Sequence, residues 1–170
     1  WKWLYVALST INTSINSINA ADFHSESKRS ELLSEAHALR AFYLHQIIEI
    51  YGPAAYYAEM PITSPEEIGG TQPGIAVFYK RILADLEIAD QSLKKPSEVR
   101  SSSFGRMDQG IAKAIRMRVL MSLAAYDETL IGEVGMQNKK HCYEEAVRVA
   151  TELKNDYGYK LESDFSRIFS

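Results

Sequence analysis

Apolar side chains recur along this chain at helical intervals, and the intervals divide it into five predicted helices. Leu4, Leu8, Ile11, Ile15 and Ile18 fall three or four residues apart, on one face of a first helix. The stretch Ala20-Ala21-Asp22-Phe23-His24 breaks that period, and Ser25 or Ser27 is placed to cap the next helix by accepting a bond from an orphan amide. The second helix is the most strongly written. Leu32, Ala36, Leu39, Tyr43, Ile47 and Ile50 form one stripe, and Leu33, Leu44, Ile48 and Tyr51 form another beside it. Two stripes predict a helix buried on more than one side. Gly52-Pro53 ends it, because proline restricts the residue before it and has no amide to donate.

Residues 52–73 carry Pro53, Pro61, Pro65, Gly69, Gly70 and Pro73 and no period, which predicts a long Pro/Gly loop insertion bearing Tyr56 and Tyr57. A third helix follows, with Ile75, Phe78, Tyr79, Ile82, Leu83, Leu86, Ala89 and Leu93 on its buried side. Lys94-Lys95-Pro96 closes it, and Ser97 to Phe104 reads as a polar linker. Asp108 caps a fourth helix through Ile115, Val119, Leu123 and Tyr126, and Gly132 to Asn138 is a turn-rich break. The fifth helix carries Tyr143, Ala146, Val147, Ala150, Leu153 and Tyr157; Tyr159, Leu161, Phe165 and Phe169 then indicate a short extended piece and a helical turn. Small residues at Ala112, Ala114, Ala146 and Ala150 mark positions of close helix approach. The expected fold is all-α: packed helical hairpins of a degenerate tetratricopeptide-like type, too irregular for a strict repeat of roughly 34 residues.

Composition narrows the function classes. At 170 residues the chain suffices for one sizeable core, and it is read as one helical segment, residues 1–170, of a longer chain. It opens on Trp1-Lys2-Trp3, already inside a helical pattern and without an initiator Met. The net charge is −3 with Lys and Arg scattered, so the electrostatic footprint of a nucleic-acid binder is lacking. A single cysteine, Cys142, excludes an internal disulfide and a thiolate-rich zinc site. No run approaches the ~20 apolar residues that cross a bilayer.

Six segments, in order, resemble the SusD/RagB family. Trp1, Tyr5, Leu8 and Asn12 are similar to its Trp…Tyr…apolar…Asn helix, and Glu35-Ala36-His37-Ala38-Leu39-Arg40-Ala41-Phe42-Tyr43 to its "EAxxLRAFY" helix. Tyr51-Gly52-Pro53, then Phe78-Tyr79 through Asp85-Leu86 and Ala89, follow the same pattern. Gly105-Arg106 with Ala112, Arg118 and Val119 resembles its "GR…A…ARVYL" segment, although Asp108-Gln109-Gly110 departs from the usual Thr/Ser-Lys. Tyr143, Ala146, Ala150, Tyr159, Leu161, Asp164-Phe165 and Phe169 resemble the closing stretch. The resemblance implies a tetratricopeptide-like surface lipoprotein of Bacteroidetes-type bacteria. Such a protein is lipid-anchored in the outer membrane, binds oligosaccharide nutrients and caps a TonB-dependent transporter of the SusC type. A protein–protein adaptor using tetratricopeptide-like helices is the alternative.

Site expectations follow. Glu35 and Arg40 are five apart on one helix, too far round to pair with each other, so each is expected to reach a neighbouring helix as a structural polar group. From their family positions, Asp85 and Arg118 are expected to bind each other across a helix pair. Tyr5, Phe42, Tyr43, Phe78, Tyr126 and Tyr143 lie on apolar stripes and are read as core. Tyr56 and Tyr57, on a loop with no stripe to bury them, and Trp3, off the Leu4/Leu8 stripe, are the expected ligand contacts, since aromatic faces suit sugar rings at half-wet surfaces. His24, His37, His45 and His141 lack metal-ligand spacing. Nucleophile elbows and phosphate-cradling glycine loops are missing, so no catalytic residue, metal or cofactor is expected.

Overall fold

A computed structural model describes residues 2–55, 72–99, 105–160, 162–164 and 166. They form helices α1 (Lys2–Ala20), α2 (Glu26–Tyr51), α3 (Ile75–Ser92), α4 (Pro96–Val99), α5 (Gln109–Leu123), α6 (Glu128–Val134) and α7 (Lys139–Asn155), with a 3-10 turn at Gly52–Ala54. Among the described residues there is no strand, and no helix is long and apolar enough to cross a membrane. The fold is all-α.

Three of the long helices start where a side chain satisfies a free amide, whereas α3 starts after Gly74 without one. Ser25 caps α2 by accepting from the Lys28 amide, Asp108 caps α5 at Ile111, and Asn138 caps α7 at His141. Gly52, at φ 52°, ends α2 while its amide donates to the Ile48 carbonyl. Between α1 and α2 the Arg29 side chain donates to the carbonyls of Ile18 and Asn19, satisfying the last turn of α1.

The helices stack in a row. α2 packs against α1 on one side and α3 on the other, α3 against α5, and α5 against α7. Ala38, Ala41, Leu44 and Ile47 of α2 meet Phe78, Tyr79, Ile82 and Ala89 of α3 in a core where each of these residues is at most 1% exposed. Full burial of a large apolar side chain contributes about 1.5–3 kcal/mol. Val119, Leu123, Ile131 and Cys142 continue this core to the far hairpin. A smaller cluster of Ile11, Ile15 and Ala36, flanked by Leu33 and Tyr43, seats α1.

Several expectations need correction. Two short helices enter segments read as linker and turn: α4 the first, and α6 the second, where the break is confined to Gly135, at φ 99°, through Asn138. α5 ends at Leu123 and α7 at Asn155, so Tyr126 and Tyr157 lie beyond their helices. The buried stripe of α7 is Cys142, Ala146, Val149 and Leu153, which leaves Tyr143, Val147 and Ala150 facing outward. Phe42 and Ile50 of α2 and Ala114 of α5 are likewise exposed. Tyr56, Tyr57 and most of the predicted loop, and Leu161, Phe165 and Phe169 near the C-terminal end, lie outside the described residues.

Candidate functional site

The polar residues singled out in the sequence sort into a buried lock and a surface pair. Arg40 of α2 donates from Nε and Nη2 to the two Asp85 carboxylate oxygens of α3, each at 2.7 Å, and from Nη1 to Asn12 Oδ1 of α1 at 3.2 Å. His37 Nδ1 lies 2.9 Å from Asp85 Oδ1, and Ser34 Oγ donates to the Ile88 carbonyl at 3.1 Å. Asp85 is fully buried and Arg40 only 5% exposed, so the ion pair joins three helices away from solvent. Glu35 instead pairs with Arg106, the residue after Gly105, in a two-pronged contact whose Nε–Oε1 arm is 2.7 Å. That pairing holds the Arg106 guanidinium above its ordinary pKa. The expected Asp85–Arg118 pair does not form. Arg118 points outward from α5, its side chain 65% exposed and 4.0 Å from Glu49, while Asp85 already has Arg40 as its partner.

Above the Glu35–Arg106 pair lies a groove of about 450 Å3 between α2 and α5. Leu39, Phe42 and Tyr43 line its α2 side, Ile111 and Ile115 its α5 side, and Gly105 to Met107 one end. Phe42 and Tyr43 meet edge to face at 5.4 Å with an interplanar angle of 81°. Tyr43 turns in towards the α1 cluster, whereas Phe42 is 36% exposed. The groove therefore presents an apolar ring wall beside a neutralised ion pair: a surface for C–H faces with hydrogen-bonding groups at its edge.

Sequence reasoning put Phe42 in the core. The signal against that was available: Phe42 and Tyr43 are adjacent, and neighbours on a helix diverge by about 100°, so one partner helix does not cover both. Trp3, by contrast, is 81% exposed on α1. Among the described residues no group of three or more His, Cys, Asp or Glu is placed to hold a metal ion. Cys142 is buried against the core, and burial pushes its thiol pKa up.

No protein-family model matches the chain, and no curated protein matches it in sequence. Solved structures do match. A SusD-like protein from Bacteroides fragilis superposes with a TM-score of 0.70 at 24% identity, over 95% of this chain and 27% of its own. A laminarin-binding SusD-like protein gives 0.76 at 20% identity, over 99% and 33% respectively. Surface glycan-binding protein A from Bacteroides fluxus gives 0.70 at 25% identity, over 97% and 31%. The chain has the SusD-like fold, and it spans about a third of the length of the structures it matches.

Proposed function

We propose that this chain is a segment of a SusD-like protein that binds oligosaccharides without transforming them. The observation that carries the reading is the match of nearly the whole chain to that fold, in structures that include a laminarin binder and a surface glycan-binding protein. The α2/α5 groove supports it locally. Its exposed phenyl ring offers a stacking face, and Glu35 with Arg106 offers a rim that hydrogen-bonds hydroxyls without net charge. Trp3, Tyr56 and Tyr57 belong to the same proposal as further aromatic contacts. Delivery to a TonB-dependent transporter of the SusC type, from a lipid-anchored position on the outer-membrane surface, completes it.

The test is binding of the full chain to a panel of plant, microbial and host glycans, with Phe42→Ala, Trp3→Ala, Tyr56→Ala and Tyr57→Ala run in parallel. At least one neutral oligosaccharide is expected to bind, and Phe42→Ala is expected to weaken it roughly tenfold at unchanged thermal midpoint. Absence of binding to every glycan would refute the reading in favour of a protein ligand. Binding that only the Tyr56 or Tyr57 change weakens would move the contact from the groove to that loop. Co-purification with a SusC-type partner tests the transporter half separately.

A further inference from the structure

A second groove, of about 360 Å3, lies between α3, α5 and α7, on a different side of α5 from the aromatic one. Its volume falls in the range of small-molecule sites, roughly 300–1,000 Å3. Leu86, Ala112 and Val149 are among its lining residues; the rest of the lining is charged or polar. At one level Lys113 is held by Asp90 at 3.1 Å and Glu152 at 3.3 Å. Burial pulls its pKa down, yet these two carboxylates hold the ammonium above its ordinary value. Arg148 is paired with Glu145 at 3.0 Å and Glu152 at 3.3 Å.

Arg116, one helical turn beyond Lys113, breaks this pattern. Among the described residues it has no hydrogen bond or ion pair, and its Nε is out of contact with solvent without an acceptor. Each neighbouring cation in the groove touches two carboxylates, whereas Arg116 touches none and only acts through space on Glu145, which Arg148 already holds. A guanidinium with no contacting acceptor beside a lined cavity suits an anion with two planar oxygens, because its fork matches a carboxylate bidentately.

We propose that this groove is a second carbohydrate site, selective for oligosaccharides that carry uronic acids, with Arg116 receiving the sugar carboxylate. The proposal rests on the glycan-binding reading above. Gln91 and Glu87, which also line the groove, are the groups left to bond ring hydroxyls, since Asp90 and Glu152 are engaged by Lys113. The two grooves thereby differ in chemistry: in the aromatic one the arginine is paired with Glu35, and here Arg116 makes no ion pair.

The experiment titrates the full chain with oligogalacturonides, with glucuronic-acid-substituted xylo-oligosaccharides and with the methyl esters of both, alongside a Glu-rich peptide. Wild type is expected to bind at least one acid about tenfold more tightly than its ester at low salt. Arg116→Gln is expected to erase that difference while leaving the thermal midpoint and neutral-glycan binding unchanged. Equal affinity of wild type for acid and ester overturns the proposal, as does an Arg116→Gln variant that still discriminates. Arg116-dependent binding of the peptide without the sugars overturns it in favour of a protein contact. Neutral glycans that bind while uronates do not refute this site alone; failure of every sugar refutes the broader reading as well.

Discussion

Arg40 and Asp85 carry the strongest single-residue argument in the molecule. Both are buried, and each is hydrogen-bonded to the other in fork geometry, with Asn12 and His37 completing the shell. Removing one partner strands the other charge in the interior, which costs about 3–5 kcal/mol, whereas replacing both by apolar groups of similar volume is often neutral. Asp85→Asn is therefore expected to lower urea-measured stability by that amount, and Arg40→Met with Asp85→Leu to recover most of it. A single-variant loss below about 1 kcal/mol would show that the pair does not hold the helices. His45 makes a pH argument. It is 1% exposed, its Nε2 lacks a hydrogen-bond partner, and burial lowers its pKa despite Glu49 at 3.6 Å, with Arg118 adding to the lowering. The unfolded chain then takes up a proton first as pH falls through about 6.5, so stability declines below that pH and the decline stops once the folded pKa is passed. Denaturation at pH 7.5 and pH 5.5 should show this loss in wild type and a smaller one in His45→Gln; an equal loss in both would assign the acid sensitivity elsewhere.

At the scale of the element, α7 shows how spacing alone leaves a face undecided. Tyr143, Ala146, Val147 and Ala150 recur at helical intervals, and so do Cys142, Ala146, Val149 and Leu153. The packing against α5 selects the second set, in which small Cys142 and Ala146 allow close approach. Two valines on this one helix test the assignment. Val149→Ala removes a side chain that is 1% exposed and is expected to cost about 1.5–3 kcal/mol, while Val147→Ala, at 65% exposure, should stay within about 0.5 kcal/mol. The reverse order in thermal denaturation would reinstate the other face. α6 eluded the sequence for a related reason. It has seven residues and one buried apolar side chain, Ile131, so no period develops, and Gly132 inside it resembles a breaker. Its capping residue, Asp127, accepts from Leu130 at 2.9 Å, and this was the local signal present.

For the whole molecule, the stack of α1, α2, α3, α5 and α7 makes two grooves of unlike character on different sides of α5. One is walled by Phe42 and Tyr43, the other by charges. Neither was read from the sequence, because each draws its lining from helices separated by a loop or a turn. Glu35 and Arg106 are 71 residues apart, and Arg116 stands out only once Lys113 and Arg148 are seen with their carboxylates. What the sequence determined by itself was local: the all-α class, the five long helices, the Asp108 cap, a cap of α2 at Ser25 or Ser27, of which the structure selects Ser25, and the two-sided burial of α2. These follow from spacing and from hydrogen bonds within a few residues. Which stripe faces inward, which carboxylate meets which arginine, and which aromatic ring remains in water were decided by the tertiary structure. Those outcomes depend on packing between helices far apart in sequence, where a shift of one residue around a helix turns a side chain by about 100°.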